Sequence, residues 1–567
     1  MTADDTLSRI RYPVLWNRLI AIVEEQARSL IKTAFSETVS EAGDLSAGVF
    51  DTKGRMVAQA ITGTPGHVNS MAESVGYFLE KFPASTMEPG DHFITNDPWL
   101  SSGHLHDITV VSPAFHDGNV TALFACTCHQ VDIGGLGQSP DGRSIYEEGL
   151  FIPIMRLARR GLWNEDLLEL IRCNVRQPKP VEGDIKSYAT CNHLGERRLA
   201  ETLDEYPDVR FADLADFVIN RSRTAMQDAI RALPDGTYRN VLTLDGYDQP
   251  VTLDAALVID GDTITIDFDG SSPASKYGIN LVYNYTLAYA VFGVRAAVAP
   301  EIPNNFGSLA PVRVVAPPGS ILNVQKPRPV SARHIIGQFL PDVVLGCLAQ
   351  VRGLEIPAEG AACLWGIQVR GGPEIGAASG NGRDDHARTF DLLSFNSGGS
   401  GARPGLDGLS AMAFPSGVRA LPVEAVETRA PVVVWRKELR PDSGGAGRQR
   451  GGLGQTVEMG TRDGAPFALF AMYDRVDNPA RGRDGGASGA AGLVTTSGGV
   501  RLRSKGKQTI ESGDRIRVDL PGGGGHGHPH DRPVEVIAAD LAEGYVTPDA
   551  AQRLYGVTIA ADGSVRR

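Results

Sequence analysis

The sequence has few cysteines and no long apolar run. Six cysteines in 567 residues are too sparse for a disulfide scaffold, and no Cys-x-x-Cys pair occurs. We expect all six to be reduced, which fits a cytoplasmic protein. The most apolar stretch, residues 287–294, stops at Arg295, so no 18-residue span for a transmembrane helix exists. No cationic apolar leader follows the first residues, and we expect no secretory signal.

Basic residues are also fewer than acidic ones. The 55 Lys and Arg residues are outnumbered by 67 Asp and Glu residues, which gives a net charge of −12. This acidic excess argues against nucleic acid as the main partner. The sequence also has no polybasic segment that would bind a membrane. The apolar share of 42% is that of an ordinary globular protein, and the length suits three to four domains or fewer large ones.

Glycine is the abundant residue, with 66 copies beside 35 prolines. The glycines have no period of three, which excludes collagen. Dense glycine in a globular chain indicates many tight turns and therefore many short strands.

The periodicity of apolar residues divides the chain into two parts. It predicts helices from Pro13 to about residue 35, over 70–81 and within 164–232, and strands within 88–135. From Val241 onward strands dominate, and 370–410 and 441–500 are predicted as turns and loops between strands. We predict an α+β protein with a helix-rich part, 1–235, and a β-rich, glycine-rich part, 236–567, which is long enough for two subdomains.

Candidate metal ligands are concentrated around one predicted hairpin. Strand-like residues 108–113 and 120–128 flank Asp117-Gly118, a favoured two-residue hairpin turn. Pairing around that turn sets Asp107 opposite Cys128 and His106 opposite His129, with an uncertainty of one residue in register. Paired side chains start about 5 Å apart at Cβ, so His129 would reach the corner formed by residues 104–107.

This arrangement has two interpretations. Histidine and aspartate are ligands suited to Zn, Mn or Fe, and the hairpin would bring His104, Asp107 and His129 together. The same residue types also cap turns and strand ends without any metal. From the residues alone both interpretations stay open.

Short motifs resemble the hydantoinase B/oxoprolinase family, the B subunits of ATP-dependent cyclic-amide hydrolases, which are related to acetone and acetophenone carboxylase subunits. The motifs fall in order over nearly the whole chain: Gly43-Asp44-Leu-Ser46, Asn96-Asp97-Pro98, Gly103-His104-x-x-Asp107, His129-x-x-Asp132-Ile-Gly-Gly135, Glu147-Glu-Gly-Leu150, Asn174-x-Arg176, Gly183-Asp184, Gly401-Ala-Arg-Pro404 and the run 442–454. Two departures occur: Gln130 stands where the family usually has a second histidine, and His526 where it usually has tyrosine.

The resemblance implies one divalent metal (Zn, Mn or Fe) held by Asp44, His104, Asp107 and His129. Three of these agree with the hairpin, whereas Asp44 comes from the family alone. Asp132 is a candidate catalytic residue that would orient a ligand imidazole or take a proton; the alternative is a carboxylate that caps the turn before Gly134-Gly135.

The resemblance also implies a division of labour. A hydantoinase A-type subunit would phosphorylate a lactam with ATP and Mg²⁺ in a hetero-oligomer. This chain would then open the phosphorylated hydantoin, oxoproline or other lactam ring with metal-activated water. Gly445–Gly452 lacks the Gly-Lys-Ser/Thr of a phosphate-binding loop, but the resemblance would let Arg448 and Arg450 face a phosphorylated substrate. The alternatives are a ketone carboxylase subunit and a non-catalytic scaffold with a structural metal.

Overall fold

The computed structural model describes residues 3–61, 64–372, 389–561 and 563–567. Its helices are long in the first part of the chain and shorter afterwards. They are α1 Ala3–Thr33, α2 Glu37–Ser40, α3 Pro65–Lys81, α4 Ile145–Glu148, α5 Glu165–Asn174, α6 Pro178–Glu205, α7 Phe211–Arg231, α8 Tyr283–Val298, α9 Phe306–Leu309, α10 His334–Gly337, α11 Leu340–Leu348, α12 Val423–Arg429, α13 Val534–Ala542 and α14 Pro548–Tyr555. Short 3₁₀ turns lie at Ala84–Thr86 and Pro529–Asp531.

The strands are mostly short, as the glycine content indicates. They are β1 Leu45–Phe50, β2 Met56–Gln59, β3 His92–Thr95, β4 Asp107–His116, β5 Asn119–His129, β6 Met155–Arg159, β7 Leu162–Trp163, β8 Gly236–Leu244, β9 Val251–Asp260, β10 Thr263–Asp267, β11 Val312–Val315, β12 Trp365–Gly371, β13 Phe390–Asn396, β14 Val432–Leu439, β15 Gln455–Thr461, β16 Phe467–Met472, β17 Leu493–Thr496, β18 Lys505–Ile510, β19 Ile516–Asp519, β20 Thr558–Ile559 and β21 Val565–Arg566.

A seven-stranded antiparallel sheet forms the centre of the first part, with strand order β2-β1-β5-β4-β3-β6-β7. Successive side chains of a strand point to opposite faces, so neighbours in β5 enter different cores. Phe124 packs with residues of α1 and α6, including Leu19 and Leu199. Leu123 packs on the other side with residues of α3, including Val75. The sheet that carries the hairpin is therefore covered by helices on both faces.

Three four-stranded sheets follow in the later part. Their orders are β11-β10-β9-β8, β13-β12-β16-β18 and β14-β15-β19-β17. Helix α8 packs on both α3 and α11, so it joins the helical covering of the first sheet to the later part. Because α8 carries Tyr285 and Tyr289, this packing brings two tyrosines to the boundary between the parts.

The α+β prediction is confirmed. Helix α1 begins ten residues before Pro13, which lies inside it, because a proline removes one helical hydrogen bond without always ending the helix. Strand β13 and strands β15 to β17 lie in segments predicted as loops; residues 373–388 of that prediction lie outside the described residues. Strand β8 begins at Gly236, while the domain boundary near residue 235 stays a prediction. Among the described residues, no helix combines the length and apolarity needed to cross a membrane.

Candidate metal centre

The predicted hairpin is present, with a register one residue away from the predicted one at its open end. Asp117 and Gly118 form the turn with φ of 51° and 75°, the positive values that a two-residue hairpin turn requires. At the tip His116 pairs with Asn119, as expected. A β-bulge then leaves Thr121 without a partner, and from there the register is shifted.

The bulge corrects the predicted pairing at the site. Asp107 is directly opposite His129, and Ile108 is opposite Cys128. Had the register continued unchanged from the tip, His106 would have taken that place. One inserted residue therefore sets Asp107, and not His106, opposite His129.

Three side chains converge at this open end. His104 Nε2 lies 2.8 Å and His129 Nδ1 3.1 Å from the same oxygen, Asp107 Oδ1. The three candidate ligand atoms lie within 4.8 Å of one another. All three residues are at most 3% exposed. The structure thus brings together the three ligands that the hairpin argument predicted.

The second carboxylate oxygen of Asp107 is fully engaged with donors. Oδ2 accepts from Ser102 Oγ at 2.6 Å and from Arg333 Nη2, and it lies 2.9 Å from His67 Nε2. Burial alone would raise the pKa of Asp107, but His104, His67 and Arg333 hold that pKa well below its usual range. Asp107 is consequently a carboxylate whose Oδ1 faces the two imidazoles.

The tautomer of His104 follows from its other contact. His104 Nδ1 lies 2.8 Å from the carbonyl oxygen of Ser331, which can only accept, so Nδ1 carries the hydrogen. Burial, reinforced by the charge of Arg333, lowers the pKa of His104 to about 3. The neutral ring then presents the Nε2 lone pair toward Asp107 Oδ1, 2.8 Å away, and a divalent cation bound to both atoms would satisfy both acceptors. This donor set fits Zn, Mn or Fe.

Asp44 reaches the site from the adjacent strand. Leu45 at the start of β1 pairs with Cys128, and the carbonyl oxygen of Asp44 accepts from the N–H of His129 at 3.1 Å. Its carboxylate Oδ1 lies 3.5 Å from His67 Nδ1. Asp44 borders the same cavity as His104 and His129 but lies outside the tight group that these two form with Asp107.

Asp132 has a different environment. Its Oδ1 accepts from the N–H of Gly134 at 3.0 Å and from Arg176 Nη1 at 3.0 Å. Its Oδ2 accepts from the N–H groups of Arg176 and, at 3.1 Å, of Gln177, just before α6. These contacts match the turn-capping alternative, and the catalytic role of Asp132 stays a prediction.

From the sequence, His67 could border the site, but a turn histidine is the default interpretation of a residue that follows Thr64-Pro65-Gly66. The helix was predicted to begin at residue 70. The structure begins α3 at Pro65, with Thr64 as the N-cap residue, so His67 lies in the first turn and points to Asp107. A Thr-Pro pair is a recognised helix start, and it would have placed His67 in the first turn of α3. Burial lowers the pKa of His67, but Asp107 and Asp44 outweigh it and raise this pKa overall.

Distant parts of the chain complete the site. Arg333 passes over the ring of Tyr285 at 4.0 Å, and its Nε donates to the carbonyl oxygen of Ser102 at 2.6 Å. A Cβ on Gly103 would lie 2.8 Å from the Arg333 side chain, so glycine is needed there. Arg450, which the family resemblance suggested for an anionic substrate, instead has its Nε 3.5 Å from Asp540 Oδ2.

His104, His129 and Asp44 line a cavity of about 40 Å³, which is room for water-sized ligands. Residues from later in the chain complete the lining. They include the apolar side chains of Leu364, Phe395, Val418 and Met472 and the polar side chains of Gln338 and Ser416.

The chain belongs to the hydantoinase B/oxoprolinase family, whose model matches residues 8–529. It is 29% identical to the beta chain of the caprolactamase of Pseudomonas jessenii, covering 99% of this chain and 98% of that one. It is 28% identical to the B subunit of a putative D-/L-hydantoinase from a Pseudomonas species, covering 97% and 95%.

Two solved structures share the fold. The ATP-dependent caprolactamase of Pseudomonas jessenii superposes with a TM-score of 0.87 at 25% identity, covering 98% of this chain and 97% of that chain. A nucleotide-free acetone carboxylase has a TM-score of 0.81 at 21% identity, covering 99% and 82%. The second similarity concerns the fold alone.

Proposed function

We propose that this chain is the metal-dependent subunit of an ATP-dependent enzyme that opens a phosphorylated cyclic amide. The observation that carries the proposal is the buried cluster of His104, Asp107 and His129, two of which, His104 and His129, line the cavity. Family membership and relatives named as hydantoinase and caprolactamase subunits support a lactam as substrate class.

We propose His104, Asp107, His129 and Asp44 as the metal ligands. A bound divalent metal would lower the pKa of water toward neutrality and so supply hydroxide for attack on the activated ring. Ser102, His67 and Arg333 would hold Asp107 ionised and oriented, because all three contact its second oxygen.

The residues that line the cavity suit such a substrate chemically, and the cavity of about 40 Å³ would widen to admit the ring. The apolar side chains of Leu364, Phe395 and Met472 would pack on ring methylenes and exclude bulk water. Arg333 lies beside the proposed metal ligands, where its guanidinium would offset negative charge on a phosphorylated ring. Asp132 would act as a positioning residue, since it fixes the loop that follows His129.

We propose an A-type subunit as the source of the activated substrate. An amide is a poor electrophile, and phosphorylation of its carbonyl oxygen by ATP would activate it for attack by water. The glycine-rich run 445–452 lacks the Gly-Lys-Ser/Thr of a phosphate-binding loop, and it packs against neighbouring backbone, since a Cβ on Gly451 would lie 2.0 Å from the carbonyl oxygen of Gly523. ATP and Mg²⁺ would therefore be used on the partner chain, in a hetero-oligomer.

Reconstitution tests this function. The chain would be combined with an A-type subunit, Mg-ATP and a panel of hydantoins, oxoproline, larger lactams and ketones, and products identified by mass spectrometry. We expect a ring-opened amino acid formed only with both subunits and ATP. A carboxylated ketone would support the carboxylase alternative. Full activity after removal of the metal from folded protein would support the scaffold alternative, and ring opening by this chain alone would contradict the division of labour.

A further inference from the structure

A loop between β11 and α10 holds two groups that fix the metal centre. The carbonyl oxygen of Ser331 accepts from His104 Nδ1 at 2.8 Å, which sets the tautomer of that ring. Arg333 donates to Asp107 Oδ2 and to the carbonyl oxygen of Ser102. The geometry of two proposed ligands therefore depends on the conformation of a loop more than 200 residues away in sequence.

Glu148, at the end of α4, lies directly against this loop. Its Oε1 accepts from the N–H of Val330 at 2.7 Å and from the N–H of Ser331 at 2.9 Å. The residue is 1% exposed, and its Oε2 has no hydrogen-bond partner among the described residues. Glu148 Oε1 thus binds two consecutive N–H groups. The second belongs to Ser331, whose carbonyl oxygen accepts from His104 Nδ1.

The surroundings of Glu148 leave it little freedom. A Cβ on Gly278 would lie 3.2 Å from Glu148 Oε1, and one on Gly142 would lie 3.3 Å from its Cγ. The N–H of Ile145 in α4 donates to the carbonyl oxygen of Pro327 at 3.0 Å, so backbone contacts tie the same helix to the loop. The side chain is consequently held where its oxygen meets both N–H groups.

We infer that Glu148 is a positioning residue of the metal centre, acting through Val330 and Ser331 on the tautomer and orientation of His104. The inference rests on the proposed function in so far as His104 is a metal ligand. Fixing Ser331 keeps its carbonyl oxygen on Nδ1 and leaves Nε2 available to a metal. Partners of this kind orient ligand imidazoles, and their loss typically weakens metal binding about 10- to 100-fold.

The role of Glu148 is that of a hydrogen-bond acceptor and does not require a negative charge. Burial raises its pKa to about 8 although the two N–H donors oppose that shift. A carboxyl group that is protonated on Oε2 still accepts both bonds at Oε1. Glutamine, which keeps that carbonyl oxygen and nearly the same shape, should therefore replace it.

The test uses Co²⁺ as probe, titrated into the full chain after metal removal and followed by its visible absorption. Glu148→Met fills the space without an acceptor, Glu148→Gln keeps the acceptor, and Glu147→Ala removes the neighbouring exposed carboxylate as matched control. We expect Co²⁺ affinity to fall at least about tenfold in Glu148→Met. Glu148→Gln and Glu147→Ala should stay near the wild-type affinity, with an unchanged absorption spectrum.

Several outcomes would overturn the inference. Wild-type affinity in folded Glu148→Met would do so, and so would an equally large loss in Glu148→Gln, because that variant keeps the acceptor. If wild-type protein bound no Co²⁺ at residues 104–129, the proposed metal centre would fail together with the inference. If Glu148→Met does not fold, amide hydrogen exchange is measured on the metal-free wild-type protein instead. We expect slow exchange at the N–H groups of Val330 and Ser331. Exchange at the rate of an open loop would contradict the inference.

Discussion

The β4–β5 hairpin and the glycine-rich segments of the β-rich part are organised by opposite principles. In the hairpin the two strands pair along their length, and their side chains contribute both to the hydrophobic cores and to the proposed metal centre. Around Gly523 the backbones themselves are in contact: its N–H donates to Gly452 at 3.0 Å and its carbonyl accepts from Gly445 at 2.8 Å. A Cβ on Gly523 would lie 1.9 Å from the carbonyl oxygen of Ser400.

The difference teaches where substitutions should affect function and where they should affect folding. His129, at the open end of the hairpin, lines the cavity and contacts other polar residues of the site, so replacing it should change chemistry more than stability. In the glycine segments no side chain is available to replace, and any added atom must displace backbone. Four substitutions, in order of decreasing effect, test this contrast.

The largest effect is expected for Gly523→Ala. The added methyl group meets backbone on Ser400 that cannot move without breaking hydrogen bonds, so the free energy of unfolding should fall by more than about 3 kcal/mol. Urea unfolding followed by circular dichroism measures it, together with the soluble yield. A transition midpoint equal to that of the wild type would show that the glycine-rich segments tolerate side chains. The proposed difference between these segments and the hairpin would then be wrong.

The next effect is on chemistry. His129→Ala should abolish ring opening, by about 10³-fold or more, because loss of a ligand removes metal activation worth several kcal/mol. ATP consumption by the A-type subunit should continue, uncoupled from product. Product and phosphate are assayed in parallel on the reconstituted enzyme.

The matched control for His129→Ala is His116→Ala at the other end of the hairpin, where the imidazole contacts Asp204 at 3.1 Å on the surface. His116→Ala should keep wild-type turnover. Circular dichroism should be unchanged in both variants. Wild-type product formation by folded, metal-depleted His129→Ala would show that the metal is not the catalyst.

A smaller, mixed effect is expected for Asp132→Asn. Amide substitution weakens the hydrogen bonds to Gly134, Arg176 and Gln177, so stability should fall by about 1–3 kcal/mol and metal affinity by about tenfold. The pH profile of kcat should keep its shape, because a positioning residue transfers no proton. Loss of one limb of that profile would instead identify Asp132 as an acid or base.

The smallest effect is expected for Gly76→Ala in α3. A Cβ there would meet nothing within 4 Å, and alanine is the better helix former, so the free energy of unfolding should rise by about 0.5–1 kcal/mol. The same urea measurement applies. Destabilisation as large as that of Gly523→Ala would mean that glycine is required in the helical part as well.

The same contrast explains what could be predicted from the sequence. The hairpin is encoded locally by Asp117-Gly118 between two apolar runs, so its existence and its approximate register were predictable. The unpaired residue Thr121 was not, because a bulge has no strong local signal. The position of His67 in the first turn of α3 could have been predicted from Thr64-Pro65, which mark a helix start.

The remaining parts of the site depend on contacts between distant segments. Asp44 lies opposite His129 through pairing of β1 with β5, and only the family resemblance indicated it. Ser331, Arg333 and the apolar side chains that line the cavity come from the later part of the chain, where no local pattern points back to residue 104. Sequence periodicity predicts elements, whereas the packing of separate elements decides which of their side chains meet.

The most direct test of the central claim is anomalous diffraction from crystals of the chain purified with its own metal, recorded at the Zn, Fe and Mn absorption edges. The account predicts one anomalous peak about 2.0–2.2 Å from His104 Nε2, Asp107 Oδ1 and a ring nitrogen of His129. A metal bound elsewhere, with these three side chains still in mutual contact, would contradict it.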